Sequence, residues 1–270
     1  MSFNPEELAA SFRKMRKSLK AAQSDLSPED VHRFRTNASR LETLIDSLEL
    51  NARPSGKRLR RMIASHRKKA GKVRDMDVQI GLAASLASHG EEEAGLVQLL
   101  AHMGERREKF ARRLSSTLEK DWKYSRRALK RKEEYLQKHL VRAKRQGEIE
   151  EQAWEKKREE NVLELAKLLA NGPKLNAGNL HAFRLQVKQL SNLLKLEKQP
   201  GPGLLDMLTA AKDAVGEWHD WLSLKDIANK LLDRRPSVLR QKINSLVKCK
   251  LAHALLVAGN LRKRCLGMVI

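Results

Sequence analysis

The chain has 270 residues, with 55 Lys and Arg against 33 Asp and Glu, a formal net charge of +22 and a pI near 10.2. An excess of one sign this large opposes compaction by self-repulsion and concentrates anions around the molecule. Nucleic acid, an anionic membrane surface and a phosphate polymer are therefore the partner classes to separate. A run of about 18 apolar residues, the length that spans a bilayer, does not occur, so no membrane insertion is expected. Cys249 and Cys265 have no CxxC spacing and no His-rich neighbour, which excludes a disulfide framework and a zinc site. With no signal-peptide stretch in Met1 to Leu8, a cytoplasmic chain is expected.

Apolar residues make up 41% of the chain, enough for a sizeable core, and only 4% are aromatic. A sequence dominated by Leu, Ala, Lys, Arg and Glu, with little Gly or Pro, favours helices over strands. The first helix is expected to start at Asn4-Pro5-Glu6-Glu7 and the second at Ser27-Pro28-Glu29-Asp30, each with a capping side chain followed by proline. In the second, Val31, Phe34, Ala38, Leu41, Ile45 and Leu48 recur at helical spacing as one apolar stripe. Pro54 opens a third helix with Leu59, Met62, Ile63, Ala70 and Val73 inward. Gly71 is expected to bend or end it, with a fourth helix following Asp75. A long charged helical stretch runs from Glu91 to about Ala170, becoming more acidic near Gly147. Asn171-Gly172-Pro173 and Asn176 to Asn179 are the clearest punctuation, and divide the chain into 1–170 and 171–270. Later turns are marked by Pro200-Gly201-Pro202-Gly203 and Arg235-Pro236.

An internal repeat sets the architecture. Leu180-His181-Ala182-Phe183-Arg184 repeats Val31-His32-Arg33-Phe34-Arg35, with Leu190 and Leu193 matching Leu41 and Leu44. A second block aligns without gaps: Leu59 with Leu204, Met62 with Met207, Ile63 with Leu208, Ala70 with Val215, Gly71 with Gly216, Val73 with Trp218 and Asp75 with Asp220. The expected fold is all-α: two helical bundles of four-helix type from an internal duplication, related by a pseudo-two-fold around a basic groove.

Residues three apart share a helix face, so His32 with Arg35, and His181 with Arg184 and Lys188, form two matched rows beside the core stripes. Guanidinium groups bind phosphate oxygens bidentately and lysines add point charge. A protonated imidazole adds donors, so binding is expected to strengthen as pH falls. On the third helix Arg58, Arg61, Lys68 and Lys72 share a face and are candidate contacts. In the second half Lys212 falls opposite Arg67, while Asp206 and Asp213 make the surface asymmetric. Asp75 and Asp220 are expected at helix starts in structural roles, as caps or as ion-pair partners of Arg35 and Arg184. An enzymatic alternative drafts His219-Asp220 with His181 and Asp226 into a metal-dependent phosphohydrolase site, but the first copy has Arg74-Asp75 in place of His219-Asp220. No Walker-type loop, GxSxG or HExxH occurs.

The two apolar-His-x-Phe-Arg helix starts, followed by Gly-Lys-Val-Arg-Asp-Met-Asp-Val and Gly-Glu-Trp-His-Asp-Trp-Leu, resemble the CHAD domain (conserved histidine α-helical domain) from about Val31 onward. The resemblance implies two four-helix bundles around a basic central groove. It also implies binding of inorganic polyphosphate, often at polyphosphate granules; from the residues themselves, neither catalysis nor a cofactor is expected. Carried over residue by residue, it matches His32, Arg35 and Arg40, then His181, Arg184 and Lys188. The family's basic pair seven and eight residues after the His is here Ser39-Arg40 and Lys188-Gln189. A nucleic-acid-binding protein is the alternative. The low aromatic content argues against stacking platforms for single strands, while phosphate contacts alone suffice for nonspecific duplex binding.

Overall fold

The computed structural model describes residues 5–87, 93–146, 149–196, 203–232 and 237–269. Asn4, Gly147, and the turn signals at 200–202 and 235–236 lie outside the described residues. Those described form eight helices and no strand: α1 Pro5–Ser24, α2 Pro28–Ser47, α3 Pro54–Ala84, α4 Glu93–Gln146, α5 Ile149–Asn171, α6 Leu180–Leu194, α7 Leu204–Leu231 and α8 Val238–Val269.

Local chemistry explains the helix starts. Ser27 caps α2, its Oγ accepting from the Asp30 amide at 3.2 Å, with Pro28 at the first helical position. The 173–179 turn is closed by asparagines: Asn176 Oδ1 accepts from the Gly178 amide at 2.8 Å, and Asn179 Nδ2 donates to the Lys174 carbonyl at 2.8 Å. Gly203 opens α7 at φ 91°, a left-handed conformation open to glycine without strain.

Two rings of four helices result. α1 packs on α2 and α4, and α3 on α2 and α4; α5 packs on α6 and α8, and α7 on α6 and α8. The buried stripe of α2 (Val31, Phe34, Ala38, Leu41, Ile45) recurs in register on α6 (Leu180, Phe183, Val187, Leu190, Leu194). That of α3 (Ile63, Ala70, Gly71, Val73, Met76, Ala83) recurs on α7 (Leu208, Val215, Gly216, Trp218, Trp221, Ala228). The rings meet where α3 lies on α7 and α2 on α6. At the start of α4, Leu96, Leu99 and Met103 are buried in the second core, while Leu114, Leu118 and Leu129 belong to the first. This one helix, about 80 Å long at 1.5 Å per residue, ties the two cores together.

Three expectations are corrected. Gly71 neither bends nor ends α3, which continues to Ala84. A helical glycine costs about 1 kcal/mol, and burial of Val73, Met76 and Ala83 in unbroken register outweighs it. The fourth helix expected after Asp75 is therefore the end of α3, and Asp75 and Asp220 lie inside their helices, where a capping role is closed to them. The division at 170 does not follow the packing either: α5 lies mainly on α6 and α8, with Leu169 and Ala170 in the second core.

A nearly buried ion pair holds α3 and α4 to the α1–α2 turn. Arg107 Nε donates to Asp77 Oδ1 at 2.6 Å and its Nη2 to the Leu26 carbonyl at 2.7 Å, with the Asp77 side chain only 4% exposed. Arg107→Ala strands that carboxylate. Breaking a fully buried pair costs about 3–5 kcal/mol; partial solvent access at the arginine reduces the expected loss to about 2 kcal/mol, measurable by urea denaturation.

Candidate anion-binding groove

The buried rings of Phe34 and Phe183 set the rotation of α2 and α6, which leaves His32 and His181 exposed and Arg35 and Arg184 half-buried at the junction of the rings. In each half the arginine lies on the glycine of the following helix. A Cβ on Gly71 would meet Arg35 Nε at 3.4 Å; one on Gly216 would meet Arg184 Nη2 at 2.7 Å and its Cζ and Nε at 3.2 Å. Arg184 Nε donates to the Lys212 carbonyl at 3.1 Å. One turn beyond each glycine stands the aspartate, and Arg35 Nη2 is 3.8 Å from Asp75 Oδ1. That distance exceeds a hydrogen bond, so the carboxylate orients the guanidinium loosely and leaves its donors available.

The glycine contacts differ enough to predict different outcomes. Gly216→Ala pushes the Arg184 guanidinium off its carbonyl anchor, and anion affinity is expected to fall about tenfold, one lost charge-assisted hydrogen bond. Gly71→Ala makes only an ordinary contact. It is expected to leave affinity within about twofold and to add up to about 1 kcal/mol of helix stability. Parallel binding titrations and thermal melts of the two variants check this.

Electrostatics join the two halves into one site. Burial, then repulsion from Arg35, Arg184, Arg67 and Lys212, pushes the Lys188 ammonium down to about 7. Lys188 has no hydrogen bond or ion pair among the described residues. Burial pushes the Asp220 carboxyl up to about 6, with Arg184 opposing and Asp75 adding to the rise. Asp75 shifts the same way by burial, against Arg35, His219 and Arg184; its side chain is 54% exposed, which tempers the effect. His32 is held below its usual range by burial and Arg74, His181 by burial and His219, and His219 by burial and Arg184. The His181 and His219 rings stand 5.3 Å apart. Lys195 is lowered by burial, then by Lys212 and Arg40. Burial first, and repulsion between neighbours second, suppresses the charge on these cations, so an anion placed among them would favour their protonated forms.

The structure brings His32, Arg35, His181, Arg184, Lys188 and Lys212 together with Asp75 and Asp220. It leaves other candidates apart. Arg40 is tied to Glu7 at 3.0 Å at the groove's edge. The α3 face bearing Arg58 and Lys72 turns to α4: Arg58 stacks over Tyr124 at 4.2 Å and Lys72 over Phe110 at 5.7 Å. Arg61 and Lys68 are exposed on that same face. The row of α3 that faces α2 is instead Arg60, Arg67 and Arg74, with Arg60 and Arg67 both paired to Glu42. Arg74, Lys195 and His219 also face this cluster, although no sequence motif marks them as binding groups. The alignment of Arg74-Asp75 with His219-Asp220 was the available signal for two of them. Among the described residues, no cluster of three His, Cys, Asp or Glu is arranged to hold a metal ion, and no helix is long and apolar enough to cross a membrane.

Comparison with solved structures finds a crystal structure of the CHAD domain from the plant Ricinus communis. It superposes at a TM-score of 0.67 with 16% identity, over 98% of this chain and 94% of that one. PptA from Streptomyces chartreusis superposes at 0.60 with 12% identity, over 98% of this chain and 100% of that one. These likenesses show the shared helical fold. No curated protein matches the sequence. The family model of the CHAD domain matches residues 6–229, from α1 through nearly all of α7, and the chain thus belongs to the CHAD domain family.

Proposed function

We propose that this chain binds inorganic polyphosphate in the groove between its two helical rings and performs no chemistry on it. The observation that carries this reading is the duplicated seat: an arginine held over a glycine on each side, with an unpaired Lys188 between them pushed down to about 7. A linear polyanion entering the groove relieves that mutual repulsion along its length. Each phosphate adds oxygens for the guanidinium donors, so affinity rises with chain length until the groove is filled. Family membership supports the same reading, since CHAD domains are linked to polyphosphate binding. Association with polyphosphate granules belongs to the proposal as well.

The test is a titration of the purified chain with polyphosphates of graded length, with duplex DNA and RNA as competitors at moderate salt. Binding that tightens with length and survives excess nucleic acid supports the groove. Equal competition by nucleic acid assigns the affinity to diffuse surface charge, which is strongly salt-dependent. Incubation with polyphosphate across divalent metals tests the absence of chemistry: sustained phosphate release contradicts it.

A further inference from the structure

Beside the groove, between α3, α4 and α7, lies a cavity of about 440 Å³, and Asp75 lines both spaces. Its volume is within the range of about 300–1,000 Å³ usual for small-molecule sites. Its chemistry differs from that of the groove. Met76, Phe110 and Ile227 form an apolar wall. Lys72 and Arg106 stand at the same ring, each 5.7 Å from the Phe110 centroid. Gln79 also lines the cavity; the residue is only 5% exposed, and its Oε1 is buried with no hydrogen-bond partner.

Inorganic polyphosphate accounts for the two cations but not for the apolar wall or the glutamine. A fully ionised phosphate chain has no apolar surface for Met76 and Ile227 to cover, and no donor for a carboxamide oxygen. A buried, unpartnered amide oxygen beside an aromatic ring and two cations suits a planar, partly apolar group whose edge carries adjacent donors and acceptors. A purine base is such a group, and a glutamine amide can pair with the adenine edge through both its oxygen and its nitrogen. We infer that the side cavity seats the base of a nucleoside polyphosphate, adenine foremost, whose phosphate tail passes Lys72 and Arg106 into the groove beside Arg35. The inference rests on the groove's binding of phosphate chains and adds a second ligand class to it.

Electrostatics supplies the discriminating comparison. Tripolyphosphate has the same number of phosphorus atoms as ATP and more ionisable oxygens, so a purely electrostatic groove prefers tripolyphosphate. The base seat reverses that order. Calorimetric titrations of the full chain with ATP, tripolyphosphate and long-chain polyphosphate, without divalent metal, are compared for the wild type, Gln79→Leu and Ile227→Trp. The first variant removes the amide; the second fills the cavity from α7 without touching a buried polar group. ATP is expected to bind about tenfold more tightly than tripolyphosphate. Both variants are expected to abolish that preference and leave long-chain polyphosphate binding unchanged. Wild-type ATP affinity no better than that of tripolyphosphate, or a preference that survives both substitutions, overturns the side cavity. A chain that binds none of the three ligands contradicts the groove itself, and the base seat with it.

Discussion

Arg35→Ala/Arg184→Ala is expected to lower polyphosphate affinity by at least about a hundredfold at fixed salt, read by titration. A charge-assisted hydrogen-bond partner contributes about 1.5–3 kcal/mol, and two of them at the low end give about 3 kcal/mol, or more than a hundredfold. Both guanidiniums are seated against helix backbone by Gly71 and Gly216, so no mobile lysine reproduces their geometry. The control is Arg61→Ala/Lys68→Ala, which removes the same formal charge from the exposed face of α3. Its expected loss is below about threefold, and it reflects the general field alone. Similar losses in the two double variants mean that the groove has no privileged role.

The second large effect is on pH. A polyphosphate chain in the proposed groove is expected to favour the protonated form of Lys188, whose ammonium is pushed down to about 7 in the free protein. Binding therefore takes up a proton whenever the free lysine is neutral. Between pH 6 and 8.5 the free protonated fraction falls from nearly all to a few per cent, so affinity is expected to drop by about thirtyfold over that range. The other groups facing the groove act in the same direction. Protonation of His32, His181 and His219 adds positive charge, and protonation of Asp75 and Asp220 removes negative charge. Internal phosphates of the ligand stay ionised throughout. Lys188→Gln is expected to remove most of the slope above pH 7, which leaves the histidine and aspartate contribution below it. A wild-type affinity flat from pH 6 to 8.5 contradicts the description of the groove's charge.

The same lysine sets a stability trend of known sign. Its folded pKa lies below the ordinary lysine value of 10.5, so the unfolded chain binds the extra proton between about pH 7 and that value. Stability of the ligand-free protein therefore rises with pH across this window. Lys188→Met keeps the packing methylenes and removes the buried charge. It is expected to raise the melting temperature at pH 7 while weakening polyphosphate binding, opposite effects that a purely structural lysine does not give.

Much of this architecture is readable before any coordinates. The α2 and α6 stripes repeat at helical spacing, and both copies carry His and Arg at the same offsets, so duplication alone places His32, Arg35, His181 and Arg184 as equivalents. Gly71 shows where single-residue rules fail. Read alone, a glycine in a helix suggests a bend; paired with Gly216 it marks where a guanidinium lies on the backbone. The α3 cations were ambiguous for a different reason. Basic residues flank its buried stripe on both sides, and periodicity does not say which flank meets α2 and which meets α4. Only packing turns Arg67 and Arg74 to the groove and Arg58 and Lys72 to α4. The side of α5 was hidden likewise, because an apolar face does not specify which of two cores receives it.

The most direct test is a crystal structure of the chain with a polyphosphate long enough to span the junction of the two rings. Continuous phosphate density is expected between α2, α3, α6 and α7, with oxygens within hydrogen-bond distance of both Arg35 and Arg184 and with Lys188 newly paired. Phosphate density confined to the outer faces of α3 and α4, with the groove between the rings empty, would contradict it.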